Sequence, residues 1–363
     1  MNVLVTGADG FIGKNLITSF PEFVTVIKHT RTNSIHDLKD KVISSNIIFH
    51  LAGVNKGKHQ DFVDGNVSLT ETIARILDEK KEKTHLIFSS TIHIERRDDY
   101  GASKSQAEAI LKSKSLLAKH KIEILRLPNI FGKWCKPNYN SVVSTFAHAI
   151  ANNLPYENKN PSHILKLSHV DEVVNHLLIL TKLKEGSIDS KNIIPQHTIS
   201  LNDLEKTFHS FKKPSIEISG LGSGLKKLLF ATFLSFIPKD NWVKDLDSSE
   251  DPRGLFSELF HTKNSGQVSF FTCKEGISRG NHWHHTKNEK FIVLAGSAEF
   301  KFKNIITHET HSIITSSKKL QEVSTVPGWA HNITNIGEGD LIVALWANEV
   351  FDSSNPDTVA YNL

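Results

Sequence analysis

Cysteine is scarce in this chain: Cys135 and Cys273 are the only two among 363 residues. Thiols so far apart make neither a disulfide framework nor a paired metal or redox motif. Charge of one sign is lacking too. The 43 basic and 39 acidic residues are mixed along the sequence and leave a formal net charge of +4, which excludes the basic footprint of a nucleic-acid-binding protein. No apolar run reaches the roughly 20 residues that a membrane span takes. The most apolar segment, Leu225–Ile237 (LKKLLFATFLSFI), carries leucines and aromatics that suit a contact between domains or subunits better than a membrane-surface helix. Before the strand-like NVLVT there is only Met1, no room for a secretory leader, so a cytoplasmic location is expected.

What is present falls into two grammars. Through roughly residue 185, the apolar β-branched runs NVLVT, TVIK, IIFHLAG, HLIFSS and IEILRLP alternate with helix-like stretches such as Leu69–Glu79 and Ser103–His120. That alternation predicts an α/β doubly wound parallel sheet of Rossmann type. After Pro238 the pattern changes to VSFFTC, KFIVLAG, AEFKFK, SIITSS and DLIVALWA, short strands broken by polar turns, as in an all-β sandwich or barrel. Hydrophobic residues at 39% allow each half a core of its own. The expected division is 1–244 and 245–363, inside a polar run that ends at Pro252.

The first half opens on TGADGFIG, in which Gly7, Gly10 and Gly13 follow a strand and lead into a helix through Phe11 and Ile12. Glycine suits a tight turn whose backbone must approach a pyrophosphate at a helix N-terminus. At the end of the second strand, TVIKHTR has Arg31, with Lys28 nearby, where an acidic residue would hold the ribose of NAD. A cation there suits the 2′-phosphate of NADP, so NADPH is the expected cofactor. Tyr100 and Lys104 stand four residues apart, on one face of a helix. A neighbouring ammonium lowers a phenol's pKa and fits it to exchange a proton with a carbonyl while hydride moves. Thr91, in FSST just upstream, is placed to hydrogen-bond the same oxygen.

The second half carries RGNHWHHTKNEKFIVLAG and, later, PGWAHNITN. Alternate residues of a strand share a face, so His282 and His284 can point into one barrel, with Glu289 entering from the next strand. Imidazoles and a carboxylate together form a site for zinc or another divalent transition metal.

Taken together, the motifs of the first half resemble the extended short-chain dehydrogenase/reductase superfamily, which acts mainly on nucleotide sugars. HLAG at His50–Gly53, Asn66 in GNVSLT and RLPNIFG at Arg126–Gly132 extend that resemblance over roughly residues 1–240. It implies that Thr91 orients a carbonyl, Tyr100 donates a proton, and Lys104 holds the nicotinamide ribose. Leu51, Ala52 and Gly53 would line the cofactor. The second half resembles the cupin superfamily, with both of its paired motifs complete, which implies His282, His284, Glu289 and His331 as metal ligands. The cupin acid/base stays open between His285 and Lys287.

The order of the halves resembles CapF-like bifunctional epimerase/reductases of capsule and O-antigen synthesis, over nearly the whole chain. Such a resemblance implies a UDP-4-keto-sugar substrate, a zinc cupin acting before an NADPH reductase, and a homodimer. Asn129, Lys136, Asn138 and Tyr139 would then meet the nucleotide sugar. Two rival readings are a plain 4-ketoreductase whose cupin serves dimerisation or regulation, and a sugar-sensing metal-binding scaffold.

Overall fold

The computed structural model describes every residue except 96–97, 185–193, 213–221, 246–248, 252–253, 257–265 and 350–353. Its described residues gather into two compact units, Met1–Val142 with Ile164–Ile199, and Val143–His163 with Ser200–Leu363.

In the first unit, β1 (Asn2–Thr6), β2 (Thr25–His29), β3 (Ile47–His50), β4 (His85–Thr91) and β5 (Lys121–Leu127) form a parallel sheet in the order β2-β1-β3-β4-β5. Alternate side chains of its inner strands feed two separate cores. Val3, Val5, Ile47, Phe49 and Ile87 pack on one face with residues of Val170–Leu180 and Leu16. Leu4, Ile48, Leu86 and Phe88 pack on the other with the helices Ile35–Ile43, Leu69–Glu79 and Asp99–Leu111. This is the doubly wound sheet expected from the alternation of strands and helices. Chain order reverses between β1 and β3, and the loops leaving their carboxyl ends diverge there to leave a crevice. The expected helix over Ser103–His120 is two helices, Asp99–Leu111 and Lys114–Lys119.

The second unit holds two five-stranded antiparallel sheets. One runs Gln267–Cys273, Leu341–Ala347, Glu289–Ala295, Gln321–Ser324, Val243–Asp245. The other runs Thr310–Ser316, Ser297–Asn304, Trp329–Asn335, Ser278–Trp283, Val359–Ala360. Phe291, Val293, Leu341 and Val343 from the first sheet share one core with Ala298, Phe300, Phe302 and Ile333 from the second. Period-two burial along Ser297–Asn304 shows why the alternating AEFKFK makes such a strand. Burying each large apolar side chain contributes about 1.5–3 kcal/mol to holding the layers together.

Compactness divides the chain earlier than the change of strand grammar does. Trp242 is buried in the core of the sheets, edge-on to Trp329 at 4.8 Å between ring centroids. The helix Gly224–Leu234, which carries most of the apolar segment, packs Phe230 and Leu234 on Trp346 and stacks Phe233 on Phe208. Its buried side is therefore taken up by contacts inside the second unit.

Candidate active sites

A cavity of about 1140 Å³ opens at the crevice of the first unit. Gly7, Gly10, Phe11, Ile12, Gly13, Arg31, Leu51, Ala52, Gly53, Thr91, Tyr100, Lys104, Asn129, Lys136 and Tyr139 all line it. Asn138 is not among the lining residues, although Lys136 and Tyr139 on either side of it are; its φ of +56° turns the backbone there. The glycines are dictated by proximity. A Cβ on Gly7, whose φ is +67°, would sit 2.8 Å from the Ala52 backbone, and one on Gly13 would sit 2.3 Å from the Gly7 carbonyl oxygen.

Lys104 is buried on the helix Asp99–Leu111, where its Nζ donates to the Ser89 carbonyl at 2.9 Å and lies 4.6 Å from the centre of the Phe88 ring. Burial brings its pKa down to about 8, and the nearby Glu108 works in the opposite direction. Glu108 itself is buried. Burial favours its neutral form, yet hydrogen bonds from Arg126, Lys112 and Ser90 hold its carboxyl at about 2. The helix bearing Tyr100 and Lys104 is thereby anchored to β4 and β5. A Cβ on Gly53 would come within 3.1 Å of Lys104 Nζ, so glycine there lets the loop after β3 pass close to the ammonium.

Asn66 ties the same pieces together from a π-helical turn, Val63–Ser68. Its Oδ1 accepts from Val54 N, and its Nδ2 donates to the Val54 carbonyl and to Ser103 Oγ. Beneath it lies a directed chain of hydrogen bonds through His50. Ala52 N donates to Thr6 Oγ1, which contacts His50 Nδ1 at 2.8 Å; His50 Nε2 contacts Thr70 Oγ1 at 2.9 Å; Thr70 Oγ1 donates to the Asn66 carbonyl. Thr70 has spent its only hydrogen, so His50 Nε2 must be the donor to it and Thr6 the donor to Nδ1. Burial first, then Lys104 and His29, push the His50 pKa down to about 3, so the ring is neutral in one tautomer. The sequence marked His50 and Asn66 only through HLAG and GNVSLT.

In the second unit, one ligand atom from each of His282, His284, Glu289 and His331 lies within 4.8 Å of every other. A bulge places the first of them. Gly280 (φ +103°) and Asn281 (φ +55°) shift the register of Ser278–Trp283, which brings His282 directly opposite His331 on the neighbouring strand. Glu289 begins the strand Glu289–Ala295 and is held by Thr325, whose hydroxyl accepts from its N–H at 2.8 Å. Its Oε2 stands 3.2 Å from His284 Nε2, 3.4 Å from His331 Nε2 and 3.8 Å from His282 Nε2.

These groups fit a metal ion. Ligands bonded to one ion at about 2.0–2.2 Å, at angles of about 90–110°, stand roughly 2.8–3.6 Å apart. The separations from His284 and His331 fall inside that interval, and that from His282 just beyond it. His282 Nε2 and both ring nitrogens of His331 are buried without a hydrogen-bond partner among the described residues. Burial lowers the His331 pKa to about 4, so its ring is neutral at pH 7 and presents a lone pair. Glu289 stays ionised: burial opposes this, but the three surrounding imidazoles hold its carboxyl well below the usual range. A buried, ionised carboxylate ringed by imidazole nitrogens is the arrangement a divalent cation resolves.

His285 turns elsewhere, its ring 4.4 Å from that of Trp283. Lys287 reaches towards the cluster, with Nζ 3.6 Å from Glu289 Oε1. Sequence reasoning missed Asp357. This carboxylate accepts hydrogen bonds from the backbone N–H groups of His285, Thr286 and Lys287, and its own carbonyl oxygen meets His284 Nδ1.

Among the described residues, no helix is long and apolar enough to cross a membrane. Residues 3–193 match the NAD dependent epimerase/dehydratase family, and residues 249–359 match the polysaccharide biosynthesis C-terminal domain. A UDP-2-acetamido-2,6-beta-L-arabino-hexul-4-ose reductase of Pseudomonas aeruginosa is 42% identical over 99% of this chain and 98% of its own length. The crystal structure of the capsular polysaccharide assembling protein CapF from Staphylococcus aureus is 33% identical, with a TM-score of 0.66 and complete coverage of both chains. CapF with the inhibitor 3-isopropenyl-tropolone gives 31% identity and a TM-score of 0.61, again over both whole chains. Matched from end to end by these proteins, the chain belongs to the NAD dependent epimerase/dehydratase family, in its CapF-like branch that carries a polysaccharide biosynthesis C-terminal domain.

Proposed function

We propose that the protein is a bifunctional nucleotide-sugar enzyme. It epimerises C3 of a UDP-2-acetamido-2,6-dideoxy-hexos-4-ulose in the C-terminal part (245–363) and then reduces C4 with NADPH in the N-terminal part (1–244). The product would be a UDP-2-acetamido-2,6-dideoxy-L-talose, a precursor of UDP-N-acetyl-L-fucosamine for capsule or O-antigen synthesis in the cytoplasm, made by a homodimer. The observation that carries the two-reaction reading is the closed set of His282, His284, Glu289 and His331, a second centre separate in sequence from Tyr100 and Lys104.

Order follows from acidity. A C–H beside a ketone loses its proton far more readily than one beside an alcohol, so epimerisation at C3 must precede reduction at C4. Zinc or a related cation, when bound by these four residues, supplies Lewis-acid polarisation of a keto oxygen. The chain supplies the rest: four fixed ligands, a buried setting, and the Lys287 ammonium beside Glu289 as a candidate proton carrier. For the reduction, Tyr100 donates the proton to O4, Thr91 orients that oxygen, and Lys104 holds the nicotinamide ribose. Arg31 answers the 2′-phosphate of NADPH, while Asn129, Lys136 and Tyr139 meet the UDP-sugar. Lys136 Nζ lies 5.6 Å from the centre of the Tyr139 ring.

Incubation with the UDP-4-keto sugar in D₂O without NADPH tests the proposal. Deuterium should enter at C3, and chelation or His282→Ala should prevent it while Tyr100→Phe does not. The relative's name, which mentions reduction alone, favours a second reading in which the C-terminal part only pairs subunits or regulates. Wild-type protein that reduces the ketone but exchanges no deuterium would establish that reading instead.

A further inference from the structure

The ligand cluster is braced by a segment near the end of the chain. Val359–Ala360 pairs with the strand Ser278–Trp283, setting Ala360 opposite His282 and Val359 opposite Trp283. Tyr361 N donates to the Asn281 carbonyl at 2.8 Å, next to the bulge that aims His282. Just before this strand, Asp357 binds the turn between His284 and Glu289. One carboxylate oxygen accepts from His285 N at 2.7 Å. The other accepts from Thr286 N at 2.7 Å, Lys287 N at 2.6 Å and Thr286 Oγ1 at 3.0 Å.

The main chain of Asp357 does something its side chain cannot. A carbonyl oxygen only accepts, so its contact with His284 Nδ1 requires the ring hydrogen to sit on Nδ1. With its hydrogen held on Nδ1, the ring is left with Nε2, 3.2 Å from Glu289 Oε2, as the nitrogen that can coordinate a cation. With the other tautomer, an N–H would occupy the coordinating position and His284 could not bind a cation there.

We propose that Asp357 is the positioning residue of the His/Glu centre: its carboxylate fixes the turn 285–287, which delivers its carbonyl oxygen to His284 and sets that ring in its metal-binding tautomer. The inference rests on the metal-centre reading above. It also explains the backbone geometry that carries Lys287 back towards Glu289, since Lys287 N is one of the groups Asp357 holds.

Two readouts on the intact chain test this without any turnover assay. Zinc affinity is measured by competition with a chromophoric chelator, and the His284 tautomer by ¹⁵N–¹H correlation of the ring in metal-free protein. Wild type should show the Nδ1–H form. Asp357→Ala should bind zinc about 10–100-fold more weakly, as other losses of an outer partner do, and should show mixed tautomers. Asp357→Asn keeps one acceptor oxygen and should fall between the two. If Asp357→Ala proves unfolded by circular dichroism, the Asn variant carries the test through the same two readouts. Zinc affinity within twofold of wild type, with the Nδ1–H form retained, in whichever variant folds would overturn the positioning role while leaving the metal centre standing. Failure of wild type itself to bind zinc would overturn both, and His282→Ala, expected to lose zinc binding, separates specific from adventitious uptake.

Discussion

Burial acts on charge in opposite ways at the two centres. At the nucleotide crevice, Lys104 is enclosed with a carbonyl and an aromatic ring for company, and desolvation wins: its pKa falls to about 8. Around Glu289 the enclosure is as complete, yet three imidazoles outweigh it and the carboxyl stays ionised. One site thus keeps a cation close to giving up its proton, as proton-transfer chemistry near neutral pH requires. The other holds a fixed anion among imidazole nitrogens, which suits a site that binds a cation and keeps it.

If the centres do different chemistry, they should fail separately. Tyr100→Phe removes the phenolic proton and is expected to lower NADPH-dependent reduction by about 10²–10⁴-fold, leaving deuterium exchange at C3 intact. The converse variant, His282→Ala, should abolish exchange yet leave NADPH binding unaltered, as followed by cofactor fluorescence. Loss of NADPH binding in that variant would break the comparison. A smaller effect is expected from pH. Lys104 is an ammonium below about 8 and neutral above it, so kcat/KM for reduction should decline as pH rises through about 8, by up to tenfold per unit. Linkage adds a stability signature. With its folded pKa below the unfolded value, the lysine binds more protons when unfolded between about 8 and about 10.4, so its contribution to stability rises with pH across that window. A Lys104→Met variant that keeps the wild-type rise in melting temperature there would refute the depressed value. Smallest of all, Arg31→Ala should raise KM for NADPH several-fold while leaving that for NADH nearly unchanged, because Arg31 is exposed and its pairing with a phosphate is screened by water. Steady-state kinetics with both cofactors would show it.

The legible parts of both centres share one property, short range. TGADGFIG, Tyr100 with Lys104, and His282 to Glu289 are each set by a few residues of local geometry, so spacing picks them out as candidates. The illegible parts come from pairing across the chain. Asp357 lies about seventy residues from the turn it binds and reaches it only because Val359–Ala360 pairs beside His282. Glu108 meets Arg126 because parallel strands carry one helix over another strand's end. The change in strand grammar after Pro238 could not show that Trp242 and the helix Gly224–Leu234 pack with the strands that follow, because a helix's own pattern does not say which neighbour covers its apolar side. Strand type and the candidate groups are written locally; their partners are not.

The hydrogen-bonded chain through His50 has a consequence for where protons travel. It begins at an amide N–H and ends at a peptide carbonyl, groups that neither release nor take up a proton at any physiological pH. Each hydroxyl between them is oriented one way, and the imidazole would have to acquire charge near pH 3 to pass anything along. The network is an insulator. If Tyr100 donates a proton to the sugar, as proposed, this chain of hydrogen bonds is not what replaces it.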